Sequence, residues 1–137
     1  MSAKLKEHIK YLLENNSTVS SLVTVSEEVR VYSGSKAPQR AKLPFIFFRS
    51  TGSSQERHLR GLAGVTIDQY QFNCVATTGD TAEAVAEAVR DALQNYTGGH
   101  QNGSTISELD VHDITEDDWS DSVGLSTYIV KAEISHY

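Results

Sequence analysis

Apolar residues recur at helical spacing through the first fourteen positions. Leu5, Ile9, Leu12 and Leu13 form one stripe, with Lys4, Lys6, Glu7, Lys10 and Glu14 on the other side. This pattern predicts a helix from about Ala3 to Glu14, capped by Ser2 and ended by Asn15-Asn16-Ser17-Thr18. A short second helical turn carries Leu22 and Val23. Val29-Arg30-Val31-Tyr32 is a short β-rich run, and Ser33 to Pro38 reads as a loop. The next strand runs from Leu43 to Arg49, with Pro44 at its start or on an edge because proline has no amide proton to donate. Phe45-Ile46-Phe47-Phe48 is apolar on both sides of the pleat, so both faces should be covered, one by a helix and one by a loop or another chain.

Thr51 to Gln55 reads as a flexible polar connection, followed by a long strand from about Ala63 to Thr77. Val65 and Ile67 share one parity, and Tyr70, Phe72, Cys74 and Ala76 share the other. A strand repeats every two residues, so the switch needs either a β-bulge near Asp68-Gln69 or a first half that buries a different face. Thr78-Gly79-Asp80 turns into a second helix, with Asp80 as its cap and Glu83 in capping-box position. Ala82, Val85, Ala86, Val89, Ala92, Leu93 and Tyr96 form its apolar face, and Gly98-Gly99 end it. A strand from about Thr105 to Ile114, an acidic turn and a strand from about Val123 to His136 finish the chain as an antiparallel hairpin. The expected fold is one α+β domain over residues 1–137. It has a mostly antiparallel sheet of about five strands with two helices packed on one face, in the order α-β-β-β-α-β-β.

Charge is divided unevenly along this plan. Residues 1–60 hold ten Lys/Arg and five Asp/Glu, whereas residues 61–137 hold two and thirteen, within a net charge of −6. The overall acidity argues against tight nucleic-acid binding, which depends on neutralising phosphates with Lys and Arg. No stretch reaches the ~20 apolar residues of a membrane span, and the charged N-terminus lacks the apolar run of a secretory signal. The single Cys74 cannot form an intrachain disulfide, which fits a reducing compartment.

Several segments, taken in order, resemble a known family. They are the N-terminal helix, Val29-Arg30-Val31-Tyr32, a Pro-containing loop before Leu43-Pro44-Phe45-Ile46, and a long strand ending Gln71-Phe72-Asn73-Cys74-Val75-Ala76. A helix with Ala84-Val85-Ala86 and Val89-Arg90-Asp91-Ala92-Leu93 follows, then two closing strands. This order resembles the small tail-completion, or tail-terminator, proteins of long-tailed phages and prophages. Ser26-Glu27-Glu28 stand where members often carry a glycine. The resemblance implies a structural virion assembly protein without catalytic residues or cofactors. It implies a homo-oligomeric ring, often a hexamer, at the head-proximal end of the tail, which stops tube polymerisation and joins tail to head. The implied partners are further copies of itself, the tail-tube protein and the head–tail connector, with no membrane and with DNA only passing through. The implied location is the virion tail, after synthesis in the host bacterial cytoplasm.

A closed ring needs a heterologous interface, and the charge split offers one. Arg40, Lys42, Arg49, Arg57 and Arg60 lie in the basic half, with Arg30 and Lys36 before them. Asp110, Asp113, Glu116, Asp117, Asp118 and Asp121 lie near the last hairpin, with Glu108 before them and Trp119 among them. Basic loops of one subunit could face acidic loops of the next, or the two runs could neutralise each other within one chain. The acidic run could instead line a lumen and repel DNA phosphates. The long strand and Phe45 to Phe48 could pair with a neighbouring sheet or belong to an ordinary intramolecular one. Trp119 could anchor a partner or cover the end of the sheet.

Other chemistry finds little footing. Asp110-Val111-His112-Asp113 would suit a divalent ion but lacks a second His or Cys nearby. Cys74 falls on the apolar parity of a strand, where thiols pack rather than react. Gly61-Leu62-Ala63-Gly64 opens a strand, the wrong context for a phosphate-binding turn before a helix. Two further readings stay open: a small α+β ligand- or metal-binding protein using Asp110, His112 and Asp113, and a related tail-tube subunit.

Overall fold

The computed structural model describes residues 3–25, 28–29, 31–33, 44–58, 61–94, 96–99, 105–117 and 126–136. Helix α1 (Ala3–Glu14) forms on the predicted stripe and buries Leu5, Ile9 and Leu13 completely. The Asn15 backbone and side-chain amides both donate to the Tyr11 carbonyl and close the helix. Asn16 then accepts from the N–H groups of Thr18 and Val19, each at 3.1 Å, and so caps a new helix, α2 (Ser17–Val23). A run of polar residues that reads as a terminator is also an initiator. This is why a full helix stands where the sequence predicts a single turn.

Strands β1 (Thr24–Val25) and β2 (Glu28–Val29) pair in a small antiparallel ladder of their own. Six further strands make one curled sheet, a half-barrel. They are β3 (Val31–Ser33), β4 (Phe45–His58), β5 (Gly61–Ala76), β6 (Gly98–Gly99), β7 (Thr105–Asp117) and β8 (Ser126–His136), in the spatial order β3-β4-β5-β8-β7-β6. The expected five-stranded antiparallel sheet with two helices is therefore incorrect. Among the described residues the sheet has six strands, it is mixed because β3 runs parallel to β4, and three helices accompany it. The Val29-to-Tyr32 run splits, Val29 closing β2 and Val31 opening β3.

Local corrections follow the same logic. Thr51 to Gln55 is not a loop but the middle of β4, held by antiparallel pairing to β5. Polar residues form strand there because the ladder of backbone hydrogen bonds, not side-chain burial, fixes them. Register shifts fall in the β4–β5 ladder between Ser50 and Gly52 and between Gln55 and Arg57, while β5 pairs with β8 without a break from Thr66 to Ala76. The parity switch of β5 thus means two faces: Tyr70, Phe72, Cys74 and Ala76 point to the core, and Ile67 to the opposite side, half-buried. Helix α3 (Gly79–Leu93) is capped by Thr78, whose hydroxyl accepts from the Thr81 N–H at 3.2 Å, and Asp80 falls in the first turn instead. It ends at Gln94 rather than at the glycines. Gly98, with φ of 151°, and Gly99 serve as strand β6 against Thr105 and Ile106. The β7–β8 hairpin is antiparallel as expected, and β7 continues into the acidic run as far as Asp117.

The helices cover one face of the sheet. Ile46, Phe48, Tyr70, Phe72, Cys74, Val130, Ala132 and Ile134 join Val85, Ala86, Val89 and Leu93 of α3 and the stripe of α1 in one cluster. Phe48 and Phe72 lie 5.6 Å apart by ring centroid, and Tyr70 lies 6.3 Å from each. Fully burying one such apolar side chain stabilises the fold by roughly 1.5–3 kcal/mol, so these rings anchor β4 and β5 to the helix layer. Alanines at 82, 86 and 88 let α3 sit close on the strands. The apolar Phe45-to-Phe48 run divides by parity: Ile46 and Phe48 enter the core, and Phe45 and Phe47 lie half-buried on the other face.

Candidate assembly surface

The face away from the helices is built by strand register. Arg49 pairs with Gln71, Gln71 with Lys131 and Lys131 with Asp113, so these four form one row across β4, β5, β8 and β7. The next row is Phe47, Asn73, Ile129 and Thr115. Tyr32, Phe45 and Phe47 make an aromatic corner, with centroids 6.2 and 6.1 Å apart. Polar side chains knit the middle: Gln69 donates to Glu133 at 2.8 Å and Gln71 to Asn73 at 3.1 Å.

Of the residues singled out in the sequence, Arg49 is exposed on β4, and Asp110, Asp113 and Glu116 lie on β7, with Asp113 half-buried and the other two exposed. Arg57 and Asp117 are placed by their backbones on β4 and β7. Arg40, Lys42, Arg60, Asp118, Trp119 and Asp121 lie outside the described residues. The acids of β7 do not form one surface. Asp113 faces Lys131 across the strands, whereas Glu116 stands opposite Tyr128, whose hydroxyl donates to Glu83 of α3 at 3.2 Å. Burial, with the negative charges of Glu116, Glu83 and Asp80, raises the Tyr128 phenol above its ordinary value.

Asp110 accepts from Gln94 at 3.4 Å, and Gln94 in turn accepts from the Val111 N–H at 2.7 Å. A register shift between Val111 and Asp113 places His112 at an irregularity of the strand. Among the described residues, no group of three or more His, Cys, Asp or Glu is placed to hold a metal ion. Also among the described residues, no helix is long and apolar enough to cross a membrane.

A buried polar pair went unread in the sequence. His136 Nε2 and Asp68 Oδ2 lie 2.8 Å apart in the core, between β8 and β5. Among the described residues, the other oxygen of Asp68 and the hydroxyl of Tyr70 have no hydrogen-bond partner. Burial, then the charge of Asp68, pushes the Tyr70 phenol up. The signal was weak: one acid on the wrong parity for solvent, and a histidine at the end of an alternating strand.

The model of the family described as Tail completion protein gp17 matches residues 9–127. The chain belongs to that family. Its role is one of structural assembly in a virion tail or at the head–tail junction. The fold also matches a chain from a solved structure entitled "Virion of native gene transfer agent (GTA) particle", with a TM-score of 0.68. That match covers 93% of this chain and 90% of the other at 13% identity, so it speaks for the fold alone. No curated protein sequence matches the chain.

Proposed function

We propose that this chain forms a closed ring of its own copies, six in number, at the head-proximal end of a tail. There it ends polymerisation of the tail tube and offers its opposite surface to a head-side connector. The family match across residues 9–127 carries the reading. The fold supports it, because among the described residues the helices pack on one face of the sheet and the other face carries no helix. The work is done by shape and surface, without catalysis or a cofactor. The tail-tube protein and the connector are its partners, DNA only passes through, and synthesis in the host cytoplasm precedes incorporation into the virion.

Removal of this protein from an assembling phage or prophage provides the test. Tubes of uncontrolled length without attached heads are expected, and restoration of the gene should return uniform, joined tails. Tails of normal length and attachment in its absence would reject the reading. A tube subunit would behave differently: the purified chain would extend into open tubes, where a terminator stops at one ring.

A further inference from the structure

Two strand edges of this sheet lack a partner strand among the described residues. The first is on β4. Strand β3 covers only Ile46 to Phe48, so among the described residues β4 from Arg49 to His58 has β5 as its partner strand, with register shifts at Thr51 and Glu56. Strand β8 reaches β5 only as far as Thr66, and below it Gly61 and Leu62 pair with His58 and Arg57 of β4. Among the described residues, the far end of the β4–β5 pair is therefore a two-stranded ribbon, a form that is marginal in water by itself. The second edge is on β7. Strand β6 covers only Thr105 and Ile106. Gln94 occupies the Val111 N–H, which leaves the stretch from Asp113 to Asp117 free of a strand partner.

We infer that the free edge of β4 in one copy pairs with the Asp113-to-Asp117 edge of β7 in the next copy. This inference rests on the self-assembly reading above and names the surfaces it uses. The two edges lie on opposite sides of one sheet, separated by β5 and β8. At ~4.8 Å per strand they are ~14 Å apart along the sheet and do not meet within one chain. Between copies they make a head-to-tail contact, the kind that closes into a ring when each step adds a fixed rotation. The curl of the sheet supplies a rotation in one sense.

Charge favours a second copy as the occupant. The free stretch of β4 carries Arg49 and Arg57 with Glu56, whereas β7 from Ser107 to Asp117 carries Glu108, Asp110, Asp113, Glu116 and Asp117 and no Lys or Arg. Like edges would repel: β7 against β7 brings carboxylates together, and β4 against β4 brings arginines together. Opposite edges attract, which steers the encounter and selects the heterologous pairing. Unpaired edges of this kind either aggregate or are satisfied by a defined partner.

The test is disulfide trapping in the full-length chain. Ser50→Cys, Gly52→Cys and Ser54→Cys on β4 are each combined with Asp113→Cys or Thr115→Cys on β7. The native Cys74 is buried and does not compete. A disulfide spans no more than about 7 Å between Cα atoms, so a bond between the two edges forms only between copies. Mild oxidation should give a ladder of covalent oligomers ending at one closed species for at least one combination, with single-cysteine variants stopping at or below background dimer. Native mass spectrometry of the unmodified chain runs in parallel. Oligomers in that measurement with no ladder from any combination would overturn the edge pairing and leave self-assembly standing. A strong dimer from a β4 cysteine alone would overturn it in favour of symmetric pairing. A chain that stays monomeric by both measurements, with or without tail tubes present, would overturn both.

Discussion

Tyr70 carries a buried hydroxyl with no hydrogen-bond partner among the described residues. A buried unpaired hydroxyl costs roughly 1–3 kcal/mol, and removing it leaves the ring packing in place. Tyr70→Phe should therefore leave stability unchanged or raise it, read as an equal or higher urea midpoint; a loss of more than about 1 kcal/mol would reveal a partner such as a buried water. Asp68 and His136 behave in the opposite way. His136→Ala removes the hydrogen-bond partner of one oxygen of the fully buried Asp68, and leaving such a buried polar group unsatisfied costs about 1–3 kcal/mol. A midpoint change equivalent to less than about 1 kcal/mol would contradict the burial of the pair. Tyr128 makes a pH-dependent prediction. Its phenol is raised by burial and by Glu116, Glu83 and Asp80, so the protonated form is favoured in the fold. Its small contribution is complete below the ordinary tyrosine value near 10 and fades as pH rises through the higher folded value. Ultraviolet difference titration of the wild type against Tyr128→Phe should show one tyrosinate appearing later than in the unfolded chain. Cys74, buried and with its thiol pushed up, should resist alkylation at neutral pH until the protein unfolds.

At the scale of elements, caps decide what propensity leaves open. Thr78, not Asp80, holds the start of α3, so Thr78→Ala should cost about 1 kcal/mol by thermal unfolding. Asp80→Ala should cost less, because Asp80 only adds a favourable charge near the helix N-terminus. The Gln94 side chain joins α3 to β7 through the Val111 N–H, a contact across seventeen positions that no local pattern announces. Periodicity did reveal α1, α3, the C-terminal hairpin and the core parity of β5. It gave α2 only as a short turn at Leu22 and Val23, because Asn16 caps as readily as it terminates. It missed β4 beyond Ser50, because a strand held by its neighbour needs no apolar alternation of its own. The parallel placement of β3 was equally invisible, since direction in a sheet is set by the connection and not by three residues.

At the scale of the molecule, the charge split of the chain places Arg49 and Arg57 on β4 and Asp110, Asp113, Glu116 and Asp117 on β7. The fold interleaves it with Lys131 and Arg49 in the same row as Asp113. Reversing Arg49 and Arg57 together to glutamate should slow self-association at low salt, on the order of tenfold or more, and the difference should shrink toward physiological ionic strength. Sedimentation at two salt concentrations measures it. An equal effect at both would place these residues outside the electrostatic encounter.

The segments taken together resemble tail-completion proteins, although the element order read from them was wrong, and the alternation of apolar residues fixed which side of β5 and β8 meets the helices. Those are local properties, governed by the periods of helix and strand. Which strands lie at the edges, which acids of β7 turn to the open face, and how Asp68 finds His136 depended on pairing between residues distant in the chain. Such pairing is chosen by the whole sheet, because shifting any strand by one place would turn its buried residues to water.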